Sequence, residues 1–299
     1  MKDKMFFETI GKDISTISTM QEVLEVAGLN YTVTSENIYL KDMTMIPERY
    51  ANVRKDINKV LGVVGKNYNI VQNEDGFSFV KELIEKGFSY LSAGTFNEGA
   101  GAFIVLSGKT INVENEVFTI MLLITNSFDG SGAIKVEFTP IRNLCKSTLL
   151  LNEKGIDTKI SLKHCSQSKD GISEVTKILQ SYDKYVKYFQ KTISLLINTE
   201  LKNYSLDKFI QELVPINESS SNIIKARTKA IQEEVVKLYN NITNTGDNAY
   251  RLLLSVADYE SHRQPLRDTG NPEIYLDRVM DGMWFTNEAF KLIKKRLLW

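Results

Sequence analysis

From Ile134 to Thr139 apolar and polar residues alternate, with Ile134, Val136 and Phe138 on one side and Lys135, Glu137 and Thr139 on the other. A period of two predicts a strand with one face in a core and the other in water. The run Phe118 to Ile124 comes before it, and Asp129-Gly130-Ser131-Gly132 lies between the two. Those residues adopt positive φ readily, so the segment predicts a β-hairpin. Pro140 has no N–H to give a ladder and its fixed φ suits a first helical turn. A helix from Ile141 to Asn152 is therefore expected, burying Ile141, Leu144, Cys145, Thr148 and Leu149 and projecting Arg142 and Lys146 together.

Short apolar runs broken by turn residues continue on either side. Tyr31 to Leu40 is interrupted by Ser-Glu-Asn, Val53 and Val60 flank an Asp-Ile-Asn-Lys turn, and Phe88 to Phe96, Ala102 to Leu106 and Lys159 to His164 read as strands. Asn73 is placed to cap a helix that runs through Glu85 and stops at Gly87. Gly94, Gly99 and Gly101 surround Asn97-Glu98 as hairpin glycines. Gly62-x-x-Gly65 lacks the third glycine and the Lys-Ser pair of a phosphate loop, and reads as a strand turn.

After Gln167 the period changes to that of a helix. Val175, Ile178, Leu179, Tyr182, Tyr185, Val186 and Phe189 share one stripe of a long helix within Ser173 to Asn203. Pro215 ends the next helix, Ser219 to Ser221 offer caps for another, Asp247 is placed to cap Ala249 to His262, and two short helices flank Gly282. The pattern as a whole predicts an α+β fold. An antiparallel meander with a crossing helix, a β-β-β-α core, fills residues 1–166, and residues 167–299 form a helical region that docks on it as one unit or stands as a second domain.

Composition narrows the function classes. The 299 residues carry 37 basic and 37 acidic side chains, so attraction to nucleic acid must come from a local patch rather than from the whole-molecule field. Between Ser131 and Cys165 six cations (Lys135, Arg142, Lys146, Lys154, Lys159, Lys163) face three acids (Glu137, Glu153, Asp157). The two cysteines, Cys145 and Cys165, form neither a disulfide framework nor a metal set and suit a reducing compartment, so the expected location is the cytoplasm. No signal peptide or membrane span is predicted. Cys145 is expected on a buried helix face without an electropositive neighbour, hence inert. His164 is a candidate phosphate or base contact, and His262 reads as a helix-end residue. No acid–histidine spacing suggests a metal, no cofactor is implied, and an enzyme is not the expected class.

Several blocks together resemble a known family. LGVVGKNYNIVQN (61–73), TNSFDGS (125–131), FTPIRNLCKSTL (138–149), the Lys163-His164 pair and, more loosely, DNAYRLLLSVADYESH (247–262) occur in the order found in the phage- and plasmid-associated family catalogued as domain of unknown function 932. The motif residues carrying the resemblance include Asn126, Asp129, Gly130, Arg142 and Cys145. The chain departs from that pattern at Phe128, where histidine is common, and at Ser147, where asparagine is usual. The resemblance implies a mobile-element protein in the host cytoplasm.

Two functions remain open at this point. A β-β-β-α core is similar in topology to phage single-strand annealing proteins, so the first is sequence-tolerant binding of single-stranded nucleic acid without turnover. Lys135, Arg142, Lys146, Lys163 and His164 would contact phosphate, and Tyr68 or Phe128 would stack on bases. The second is a protein-interaction factor that counters a host defence system, using the helical region and its terminal Leu297-Leu298-Trp299 as a partner or homo-oligomer surface.

Overall fold

In the computed structural model, residues 11–131, 134–162, 168–264 and 273–298 are described. Among the described residues nine strands form two antiparallel sheets. They are β1 (Lys12–Asp13), β2 (Val33–Tyr39), β3 (Met45–Arg54), β4 (Lys59–Gly65), β5 (Ser89–Phe96), β6 (Gly101–Val113), β7 (Glu116–Ser127), β8 (Ile134–Arg142) and β9 (Lys159–Leu162). The large sheet has the order β1-β5-β6-β7-β8-β9, and β2-β3-β4 make a small one. The helices are α1 (Met20–Val26), α2 (Asn73–Gly76), α3 (Val80–Glu85), α4 (Ser168–Ile197), α5 (Leu206–Leu213), α6 (Asn222–Asn241), α7 (Ala249–Asp258), α8 (Glu273–Met280) and α9 (Trp284–Ile293). The mixed α+β class with an antiparallel meander and a helical C-terminal region is as the sequence predicts.

The β7–β8 hairpin forms around Asp129-Gly130, with Gly130 at φ 89°. The helix expected from Ile141 to Asn152 is absent. Strand β8 continues through Pro140, opposite Ile120, as far as Arg142. There the chain turns with Lys146 in the left-handed region at φ 58°. It then returns beside β8, where Leu149 N–H donates to Pro140 O at 3.0 Å and Ile141 bridges Thr148. Leu149, Leu150 and Leu151 are all buried on this return. A spacing of three and four residues among apolar positions matched a helix here by coincidence; an extended buried segment satisfies the same positions.

The crossing helix is α4, which starts 27 residues after Ile141. Tyr182 and Tyr185 lie 5.5 and 5.8 Å from Phe138, while Phe189 meets Phe118 edge-on at 5.1 Å. Aromatic contacts of this kind fix the helix at one position across the sheet. The core continues without a break into α7 and α9 through Leu252, Leu253, Val256, Phe290 and Ile293.

The second face of the large sheet is not wet, contrary to the reading of β8. Glu137 and Thr139 are 3% and 0% exposed. Leu276 and Val279 of α8, with Met283, pack there on Phe103, Val105, Met121 and Leu123. Alternation in one strand reports its own polarity; the cover comes from residues 140 positions later. The Ser-Glu-Asn triplet is no break either, since β2 runs through it paired with β3.

The small sheet sits on the tip of the β7–β8 hairpin. A Cβ added at Gly62 would lie 2.5 Å from Asp129 Cα, which is the close approach that requires glycine at this point of β4. Gly62→Ala is expected to lower stability by about 1–3 kcal/mol by forcing the two apart. A urea titration checks this, and an unchanged midpoint would mean that the contact is slack.

Candidate functional site

The motif blocks converge at two places. At the hairpin tip, Asn126 Nδ2 donates to Val71 O at 3.0 Å and to Asn73 Oδ1 at 3.1 Å, and Tyr68 O–H donates to Ser127 O at 2.9 Å. Asn73 does not cap its helix as expected; Gln72 holds that position, and the Asn73 amide donates to Leu29 O. Asn52 Nδ2 donates to Phe128 O at 2.6 Å, and Phe128 is fully buried against Tyr31. Asp129 Oδ1 accepts from Ser131 N–H. The tip side chains are thus spent on holding the two sheets together. Phe128 has no face left for a base, and the Tyr68 hydroxyl is engaged.

At the opposite end of the sheet, FTPIRNLCKSTL meets the Tyr250–His262 block. Arg142 is 3% exposed and forms a two-pronged pair with Glu116, Nε to Oε2 at 2.5 Å and Nη2 to Oε1 at 2.7 Å. Burial, the largest single influence, works against its charge, but the Glu116 hydrogen bonds together with the Tyr250 and Cys145 interactions outweigh it and raise its pKa. The guanidinium is therefore a structural cation rather than a phosphate contact. Its Nη1 lies 3.4 Å from Cys145 Sγ, which is 3.0 Å from Ser147 Oγ; the latter donates to Asp258 Oδ1 at 2.9 Å. Cys145 is half-buried in a turn with a cation beside it, not on a helix face without one. His262 Nε2 lies 2.9 Å from Cys145 O, within a π-helical turn, Tyr259–Arg263, that continues α7.

The cations expected to act together are apart. Lys135 and Arg142 are seven positions apart on β8, about 23 Å along an extended strand, and their odd separation puts them on opposite faces. Lys146 lies in the turn beyond Arg142. Lys163 and His164 lie outside the described residues.

A different basic group does assemble. An open cleft of about 540 Å³ lies between the β8–β9 edge and α9, lined among others by Lys154, Lys159, Lys291 and Lys294 with Glu137 and Asp281. Lys154 and Lys159 belong to the basic excess counted in the sequence; Lys291 and Lys294 come from the far end of the chain. Lys159 Nζ is 3.5 Å from Glu137 Oε2 and donates to Met280 O, and Lys294 pairs with Glu153 at 2.5 Å. Burial raises the Glu137 carboxyl to about 8, against the pull of Lys159 and Lys135, so it holds its proton at neutral pH.

Trp284, 67% exposed, is outside the cleft lining; it follows the lining Gly282 by two residues, and its ring stacks on Phe285 at 6.3 Å. On α9, Trp284, Glu288 and Lys291 follow at intervals of four and three and share one stripe, while Phe285, Ala289, Phe290 and Ile293 are buried. The indole therefore shares a helix stripe with the lining Lys291, about 10 Å away along the axis. Sequence reasoning missed Trp284 because periodicity makes the first residue of a short apolar helix look like core. Only the orientation of α9 on the sheet turns it outward.

Among the described residues no helix is long and apolar enough to cross a membrane, and no group of three His, Cys, Asp or Glu is placed to hold a metal ion. No curated protein and no solved structure matches the chain. Residues 60–280 match the family described as Domain of unknown function (DUF932). That stretch holds both points of convergence and nearly all of the large sheet, and by this match the chain belongs to the DUF932 family.

Proposed function

We propose that the protein binds single-stranded nucleic acid, tolerant of sequence and without turnover, along the groove between the β8–β9 edge and α9. The observation that carries this reading is a cleft lined by four lysines, with the exposed Trp284 about 10 Å along the helix stripe from one of them, Lys291. Stacking on an indole is open to every base, and ammonium groups follow the backbone charge without reading bases. Overall neutrality is compatible with this, because screening confines the effect of distant charges to about 10 Å at ordinary salt. The cation set differs from the one read from the sequence: Lys154, Lys159, Lys291 and Lys294 stand in place of Lys135, Arg142, Lys146, Lys163 and His164.

Trp284 and Trp299 are the only tryptophans, so Trp299→Phe leaves a single reporter. Titration with a short single-stranded oligonucleotide is expected to quench Trp284 emission. Trp284→Ala is expected to weaken binding by about 1–3 kcal/mol while leaving the melting temperature in place, since the ring is exposed. Four phosphate contacts give a slope of log K on log salt of roughly −3. Absence of binding at low salt would refute the reading.

A protein-interaction surface is the second reading, and a separate observation favours it. The β2–β3 hairpin and the outer face of β4 expose Tyr39, Leu40, Met43, Met45, Val60 and Val63 at 50–75%. Apolar side chains gathered this way mark a contact surface. It lies in the N-terminal part of the chain, away from the helical surface expected from the sequence. Light scattering of Met43→Lys against the unaltered chain tests it: a loss of self-association or of a host partner supports it, and identical behaviour counts against it.

A further inference from the structure

The cleft holds more donors than a passing phosphodiester uses. Lys154 has no ion-pair partner among the described residues, and Lys291 pairs only at the exposed rim with Glu288. Such a rim pair holds little energy and yields readily to a stronger anion. Thr158 Oγ1 donates to Asn152 Oδ1 at 3.1 Å, which leaves the Asn152 amide nitrogen as a donor. That nitrogen lies 3.3 Å from where a Cβ on Gly282 would sit, and Gly282 has φ 85°, so the glycine keeps this side of the cleft clear. Deepest is the Glu137 carboxyl, 3% exposed, which as an acid offers an O–H.

We propose that this cleft seats a terminal phosphate, the phosphomonoester at the end of a nucleic-acid strand or on a mononucleotide. The inference rests on the strand-binding reading for the first source and stands without it for the second. A phosphodiester has one charge and two free oxygens. A monoester has nearly two charges at neutral pH and three strong acceptor oxygens. The four lining lysines outnumber Glu153 and Asp281 by two while Glu137 is protonated, which matches the dianion and exceeds the diester. Stacking by Trp284 would then hold the terminal base.

The seat is pH-dependent through Glu137. The groups facing it are Lys159 of β9, Lys135 of its own strand and Asp281 after α8, with Tyr185 of α4 interacting from across the sheet. As pH rises through about 8 the carboxyl ionises, removes its donor and adds a negative charge under the phosphate.

The test compares 5′-phosphorylated, 3′-phosphorylated and unphosphorylated versions of one short oligonucleotide at pH 7, by Trp284 quenching in the Trp299→Phe protein. Deoxyadenosine and its 5′-monophosphate are titrated in parallel. A phosphorylated strand is expected to bind at least about tenfold more tightly than the unphosphorylated one. Lys154→Gln is expected to erase most of the preference, and raising the pH to 9 to erase it in the native chain but not in Glu137→Gln. Equal binding of all three strands overturns the terminal-phosphate seat and leaves strand binding in place. Binding of the nucleoside monophosphate with no strand bound overturns strand binding and supports the seat. No binding of any of the five ligands overturns both.

Discussion

Replacing Arg142 by methionine is expected to lower the unfolding free energy by about 3–5 kcal/mol, one of the two largest effects of any single change considered for this chain. The guanidinium and the Glu116 carboxylate are 3% and 5% exposed and share two hydrogen bonds. Removing one member leaves the other desolvated without its counter-charge. Cys145 Sγ and the buried Tyr250 ring, whose ionisation is opposed first by burial, lie in the same environment and lose a cation too. The double change Glu116→Leu with Arg142→Met removes both charges and is expected to recover most of the loss, because a buried pair is worth little against a well-packed apolar substitute. Urea unfolding of the two variants and the native chain decides the matter. If Arg142→Met costs under about 1 kcal/mol, the pair is not desolvated and Arg142 returns as a candidate phosphate contact. If the single change is costly yet leaves oligonucleotide affinity per folded molecule unaltered, its place in the family motif is structural.

The elements with a clean local period were readable in the chain, and those whose geometry is set by distant residues were not. The β7–β8 hairpin is specified by glycine and aspartate at its turn. Helix α4 is specified by Tyr182, Tyr185 and Phe189 on one stripe, and all three are fully buried or nearly so. By contrast Pro140 looked like a boundary because a proline lacks a donor, yet it lies inside β8, where a missing donor was tolerated. Ile141, Leu144 and Cys145 then looked helical. Leu144 is 71% exposed in the turn, whereas Leu149, Leu150 and Leu151 all find apolar surroundings on the return. Spacing alone does not separate these cases.

The candidate site was less legible still. The local excess of lysine between Ser131 and Cys165 was real, but it divides between the two faces and two ends of β8. Lys135 and Lys159 face the side that α8 covers; Arg142 is consumed by Glu116, itself 26 residues earlier. What completes the cleft is α9 and the π-helical turn after it, whose Lys291 and Lys294 follow Lys159 by more than 130 positions. Polar residues in an alternating strand were assigned to water because that is their usual place. Glu137 is the exception, and its burial is the origin of its chemistry.

Glu137→Gln is expected to stabilise the protein in alkaline solution by as much as about 5 kcal/mol while changing little at pH 4.5 or below. An ordinary glutamate titrates at 4.5, and burial beneath α8 lifts Glu137 to about 8 in the folded chain. Below pH 4.5 the carboxyl is protonated folded or unfolded, so it exerts no pH-dependent effect. Between 4.5 and 8 the unfolded chain releases the proton and the folded chain keeps it, so stability falls with rising pH. The loss is complete once pH passes the folded value. At pH 7 the native chain has lost about 3 kcal/mol of this contribution, each pH unit counting about 1.4 kcal/mol. Glutamine keeps the shape and the hydrogen-bonding capacity and has no proton to lose. Urea unfolding of both proteins at pH 4.5, 7 and 9 is expected to show a gap that opens with pH. A constant gap would mean that Lys159, 3.5 Å away, holds the carboxyl ionised throughout. Two consequences would then follow together: the cleft would hold one more fixed negative charge at pH 7, and its lysines would match a diester at least as well as a monoester. The stability titration therefore reads, without any ligand present, the charge state on which selection of a terminal phosphate depends.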